Sequence, residues 1–139
     1  MAIGLKTAEN LKKQIGCVFA PMATNETVQV KGKDLIEGLP VCRNISQQEL
    51  SQVLEKIFRQ IEECIQHSLE ICPPELAADI YQTGIYVTGG NAQLKGLKER
   101  LLKTFNLKVN IDSESLLAVS KGIAQILSTP QRFHSILIS

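Results

Sequence analysis

Gly84-Ile85-Tyr86-Val87-Thr88-Gly89-Gly90-Asn91 begins a stretch that closes with Lys108-Val109-Asn110-Ile111, and between the two Leu94, Leu97, Leu101, Leu102 and Phe105 recur at helical spacing. A short apolar run, a run of helical period and a second short apolar run predict strand, helix, strand. The strand over 84–88 is expected to be buried, the helix to span 94–105 with those five side chains inward, and the second strand to span 108–111. Two strands joined through a helix run parallel, with a right-handed crossover. This places the chain in the α/β class, with helices packed on a small sheet. Residues 116–127 predict one more helix, and 128–139 a tail.

Upstream, Pro73-Pro74 ends one helix and suits the first turn of a short one over 75–81, where the missing N–H has no partner to lose. Before it, Ser46-Gln47-Gln48-Glu49 has the form of a capping box. Leu50, Val53, Leu54, Ile57, Phe58, Ile61, Ile65 and Leu69 then keep one apolar stripe along a long helix. Val28-Gln29-Val30 alternates as a strand, Lys31-Gly32-Lys33-Asp34 reads as a turn, and residues 35–45 read as the return of a hairpin-like pair, with Pro40 marking an edge or a bend. Residues 3–17 predict a first helix, with Ala8, Leu11, Ile15 and Val18 on one face and Gly16 at its end.

Composition narrows the function. The 139 residues are 44% hydrophobic, enough to bury a core, and 15 basic residues against 14 acidic ones leave a net charge of +1. A near-neutral chain has no field to gather nucleic acid or an anionic membrane, and aromatics at 4% with no Trp offer no stacking platform. Cys17, Cys42, Cys64 and Cys72 form no CxxC pair, and His67 and His134 sit at no zinc-site spacing, so the cysteines are expected to be small buried or half-buried hydrophobes in a reducing cytoplasm and no metal is expected. No catalytic group stands out.

Two constellations carry chemistry weakly. Thr88-Gly89-Gly90-Asn91 puts side-chain-free amides after a strand, where a phosphate can rest, although most such double glycines merely make a tight turn. Glu9, Lys12 and Lys13 share a helix face, where a carboxylate can accept from ribose hydroxyls and a lysine stem can lie on a ring. The plain alternative is a Glu9–Lys13 surface pair. Lys95, Lys98, Arg100, Lys103 and Lys108 read as a solvated basic face.

Longer matches give these features a context. Pro73-Pro74-Glu75-Leu76-Ala77-Ala78-Asp79-Ile80, then Gly84-Ile85 and Val87-Thr88-Gly89-Gly90, closely resemble the C-terminal part of the MreB family of bacterial actin homologues, the rod-shape-determining proteins. Ile3-Gly4, Thr7-Ala8-Glu9, Val30-Lys31-Gly32-Lys33-Asp34-Leu35 and Gly38-Leu39-Pro40 extend the resemblance, in order, over 3–127. It implies the second half of the actin-like ATPase fold. Residues 3–68 would form a small upper subdomain of helix, β-hairpin and long helix; residues 69–127 would close the lower subdomain.

The resemblance also implies a cytoplasmic protein that binds ATP or ADP, forms filaments under the inner membrane and organises cell-wall synthesis, with that machinery as partner. It joins the two constellations into one adenosine site: Glu9, Lys12 and Lys13 on the first helix, Thr88, Gly89, Gly90 and Asn91 on the loop. Three departures limit it. The family's first half and its phosphate loops, with the acidic residue that positions water and Mg2+, do not match any part of this chain. Asn91 stands where the family usually has glycine, and Leu5-Lys6 where it usually has an acidic–basic pair. A fragment or truncated relative is therefore expected, without ATP hydrolysis of its own and with an unpaired strand edge at residues 85–88 through which it dimerises. A heat-shock-chaperone-like fragment and a free-standing interaction module are the alternatives.

Overall fold

The computed structural model describes residues 1–133; residues 134–139 of the expected tail, His134 among them, lie outside the described residues. The elements run α1 Leu5–Ile15, β1 Thr27–Lys33, β2 Pro40–Ser46, α2 Gln47–Glu70, α3 Pro74–Thr83, β3 Ile85–Val87, α4 Leu97–Phe105, β4 Val109–Ile111 and α5 Ala118–Ser128. Strands β1 and β2 form an antiparallel hairpin in which Lys33 faces Pro40. Strands β3 and β4 pair in parallel, Ile85 opposite Val109, as the strand–helix–strand pattern requires.

Two clusters hold these elements. Leu11 and Ile15 of α1 bury against Val30 of β1. Leu54 and Phe58 of α2 meet Leu97 and Leu101 of α4, together with Val18 and Val109. Leu50 packs against both clusters, so the first turns of α2 join them. The capping box forms in full: Glu49 N–H donates to Ser46 Oγ at 3.1 Å, and Ser46 N–H donates to Glu49 Oε2 at 2.8 Å. Losing a cap of this type costs a helix about 1 kcal/mol.

Several expectations are corrected. The strand continues through Lys31, Gly32 and Lys33, and the turn falls at residues 34–39 instead. Asp34 Oδ1 accepts from the amides of Ile36 and Glu37 at 2.7 and 3.1 Å, which fixes that turn and leaves Leu35 and Ile36 exposed rather than in the return strand. Gly32 stays in the strand because Ala2 pairs across Lys33, and a side chain at position 32 would come within 2.8 Å of Met1 Cγ. The helix expected over 94–105 begins only at Leu97. Residues Gly90–Gln93 form a 3-10 turn, and Gly96 at φ 82° breaks the run.

The apolar stripe of α2 is wider than the core it meets: Val53, Ile57 and Ile61 remain exposed. Leu102 is also exposed, and so is Tyr86 in the strand expected to be buried. A three-residue strand with one neighbour has too little cover for either face. Cys17 is buried and Cys72 half-buried, but Cys42 and Cys64 are exposed; all four are free thiols.

Candidate functional site: a cleft between the first helix and the glycine turn

Helix α1 and the turn after β3 come together across most of the chain's length. Lys12 Nζ lies 2.8 Å from Glu9 Oε2 and donates to Asn91 Oδ1 at 3.1 Å, spanning 79 positions. Lys13 Nζ lies 3.6 Å from Glu9 Oε1 and is mostly exposed. The hydrogen bond from Lys12 holds the Glu9 carboxyl below the usual carboxylate range, so Glu9 is an acceptor at neutral pH. Gly16 lets α1 end against the turn: a Cβ there would sit 2.8 Å from Leu94 Cδ2.

Between them opens a cleft of about 490 Å³, within the range of small-ligand sites. Glu9, Lys12 and Lys13 line it from α1; Gly90 and Asn91 line it from the turn; Glu26, Gln47 and Leu116 close other sides. Five of the seven residues singled out in the sequence thus share one lining. Thr88 and Gly89 are outside it. Thr88 is exposed at the end of β3, and Gly89, at φ 88°, makes the turn while its N–H donates to Ser115 O at 2.9 Å.

Gln47 had no sequence signal beyond its place in the capping box. It is 2% exposed, and its Oε1 accepts from Thr24 N at 2.8 Å and Thr24 Oγ1 at 3.1 Å. No acceptor among the described residues meets its Nε2. The walls therefore offer a carboxylate for hydroxyl groups, a lysine stem for a flat ring and one amide donor, at Gln47.

Arg100 is the residue whose reading changes most. Far from a solvated face, it is 7% exposed. Its Nε and Nη2 donate to the Glu62 carboxylate, each at 2.7 Å, and its Nη1 donates to Glu55 Oε2 at 2.5 Å and to Val18 O at 2.9 Å. The hydrogen bonds that Arg100 donates to Glu62, then to Glu55, raise the guanidinium's pKa, and Arg100 in turn holds the Glu62 carboxyl below its usual range. This cluster ties α4 to α2 and to the chain just after α1, behind the cleft. Glu55 and Glu62, two turns apart on α2, were its only trace in the sequence.

Among the described residues no group of three or more His, Cys, Asp or Glu side chains gathers to hold a metal ion, and no helix is long and apolar enough to cross a membrane. His67 is exposed on α2, beside Glu70 and away from the cleft.

Comparison with known proteins places the architecture. The structure superposes on MreB 5 of Spiroplasma citri bound to AMPPNP with a TM-score of 0.89, at 35% identity, covering 99% of this chain and 41% of that one. The fold extends to the MamK double helical filament, at a TM-score of 0.59 and 21% identity over 86% of this chain. Helix, hairpin, long helix and parallel strand pair are thus part of an actin-like fold.

The MreB/Mbl protein family model matches residues 1–135. The cell shape-determining protein Mbl of Bacillus subtilis is 32% identical over 91% of this chain and 38% of its own length. The cell shape-determining protein MreB of Escherichia coli K12 is 33% identical over 86% of this chain and 34% of its own. The chain belongs to the MreB/Mbl family of actin-like cytoskeletal proteins, and it spans less than half the length of these relatives. That membership separates it from the heat-shock chaperones.

Proposed function

We propose that the cleft between α1 and the glycine turn holds the adenosine part of ATP or ADP, within a longer protein that forms filaments under the inner membrane and sets cell shape by organising cell-wall synthesis. The observation that carries this reading is the meeting of Glu9 and Lys12 with Gly90 and Asn91 on one cleft. Spiroplasma citri MreB5 structures bound to AMPPNP and to ADP support it by likeness. The division at residues 68 and 69 into upper and lower subdomains belongs to the same reading.

The described residues fit a nucleoside better than a triphosphate. Gly90 leaves room at the turn, and Glu9 can accept from ribose hydroxyls. The Gly89 amide is already committed to Ser115 O. Clamping phosphates and Mg2+ falls to parts of the longer protein, and the chain alone binds weakly, at about millimolar affinity, without hydrolysing ATP. Titrating the chain with ADP and following amide NMR signals tests the site. Gly90, Asn91 and the amides of α1 should shift together, and ATP should remain intact over the same period. Shifts confined to other residues, or hydrolysis abolished by a mutation in this chain, would count against the reading.

Self-association of the chain follows from its sheet. Strand β3 pairs only with β4 among the described residues, and its open edge carries the exposed Tyr86. An unpaired edge is a template for another chain. A dimer through β3 is expected at high concentration, distinct from filament contacts. Light scattering should show it, and Tyr86→Lys should weaken it; a monomer at millimolar concentration excludes it.

A further inference from the structure

We infer that Lys12 and Asn91 form a clasp across the cleft, one that draws the empty cleft together and has to open before a flat ligand enters. The inference rests on the nucleotide reading for the ligand it admits; the clasp itself belongs to the empty chain.

Lys12 stands on α1 and Asn91 on the glycine turn, and both line the cleft, so the hydrogen bond between them runs from one wall to the other. An ammonium group only donates, so the atom 3.1 Å from Lys12 Nζ is the carboxamide oxygen of Asn91. A glycine at position 91 could offer no such acceptor. Glu9 Oε2 meets the same ammonium at 2.8 Å from within α1, which narrows the conformations of the lysine before it reaches across. Lys13 makes the contrast. It also meets Glu9, but its side chain is 71% exposed, against 27% for Lys12, and it does not reach the turn.

The neighbouring contacts show what the clasp restrains. Just past α1, Val18 N–H donates to Lys95 O at 3.0 Å, and Arg100 Nη1 donates to Val18 O at 2.9 Å. That point of the chain is fixed on α4 and on the segment after the turn. Ahead of it, Lys12 to Asn91 is the one side-chain hydrogen bond between α1 and the turn among the described residues. A helix fixed just past its end and tied by one side chain a turn earlier can swing about the first point when the second lets go. While the tie holds, the lysine stretches from wall to wall and fills the space a flat ring needs. The chain therefore binds through its unclasped fraction, and its apparent affinity is lowered by that fraction.

The test uses the 139-residue chain with its Asn91→Ala and Asn91→Asp variants, and adenosine as the probe, because it brings no phosphate charge. The first measurement is amide exchange without ligand. Gly16 N–H donates to Lys12 O at 2.8 Å and reports the last turn of α1; Gly89 N–H, on Ser115 O, is the control. Gly16 should exchange about threefold faster in Asn91→Ala, the value of one partly exposed hydrogen bond, with Gly89 unchanged. In Asn91→Asp a charged acceptor strengthens the tie, and Gly16 should exchange more slowly. The second measurement is NMR titration: adenosine should bind about threefold more tightly to Asn91→Ala, and more weakly to Asn91→Asp, than to the unaltered chain. Unchanged Gly16 exchange in Asn91→Ala overturns the clasp. So does adenosine that binds Asn91→Ala no more tightly, since Asn91 would then be a bystander or a ligand contact. If adenosine moves no amide of α1 or of the turn in any of the three chains, the nucleotide reading fails, and the exchange rates alone decide the clasp.

Discussion

Arg100→Met is expected to destabilise the chain by about 3 kcal/mol or more, because it leaves a mostly buried Glu62 without its cation. The side chain of Glu62 is 14% exposed, against 43% for Glu55, so most of the loss falls on Glu62. The Val18 carbonyl loses a donor as well. Urea unfolding measures the effect, and a second variant separates its causes. Adding Glu62→Leu to Arg100→Met should recover much of the loss, since an apolar pair of similar volume often matches a buried ion pair. No recovery would mean that Arg100 acts through packing on Phe58, whose ring centroid lies 5.9 Å away.

The same cluster fixes the sign of a pH effect. Arg100 depresses the folded-state pKa of Glu62, so its contribution is present above the unfolded value of about 4.3 and is lost as pH falls through the depressed folded value. In Arg100→Met the carboxyl is buried without a cation, which raises its pKa, and protonation then relieves the variant. The stability gap between the two proteins should narrow from pH 7 to pH 3. A constant gap would show that Glu62 is not the group responsible.

Gly84→Ala should have an effect of similar size for a different reason. Gly84 sits at φ 80° and ψ −173°, a region nearly confined to glycine. A Cβ there would come 2.7 Å from Lys108 Cβ and collide with the Lys108 carbonyl, which accepts the Ile85 N–H at 2.8 Å. Strain and the loss of that first rung between β3 and β4 should together cost about 3 kcal/mol, a fall of roughly 10 °C in Tm. Gly89→Ala is the control: its φ of 88° is equally unfavourable, but nothing lies within 4 Å of the added carbon. It should cost about 1 kcal/mol. Equal losses at the two positions would sink the steric part of the argument.

The sequence discloses what depends on neighbouring residues. Ser46 and Glu49 announce their own cap, and two short apolar runs, at Ile85 and at Val109, on either side of a helical run announce the parallel pair. Features decided at a distance are hidden in it. The hairpin turn shifts to 34–39 because Ala2 pairs with Lys33, which no pattern near Gly32 reveals. Leu94, Leu97 and Leu101 keep a helical period across Gly96, yet the left-handed backbone there packs on Phe19 and begins the helix late. Arg100 reads as one basic residue among five because Glu55 and Glu62 belong to another helix. Glu9, Lys12, Gly90 and Asn91 were legible as two weak constellations that a family resemblance joined, whereas Gln47 enters only because the fold sets it on the cleft wall.

The contacts behind and across the cleft also set an order of events. Lys12 reaches Asn91 over 79 positions, and Arg100 reaches Val18 over 82. Closing a chain over some 80 residues costs about 4 kcal/mol in the simplest scaling, before any contact is gained. The β1–β2 hairpin and the capped start of α2 need no such closure and form on local terms. The cleft takes its second wall from the turn at Gly90 and Asn91, so during synthesis it stays one-sided until that turn has emerged. On the proposed reading, a nucleoside held there would add its binding energy only to a chain folded from α1 to the glycine turn.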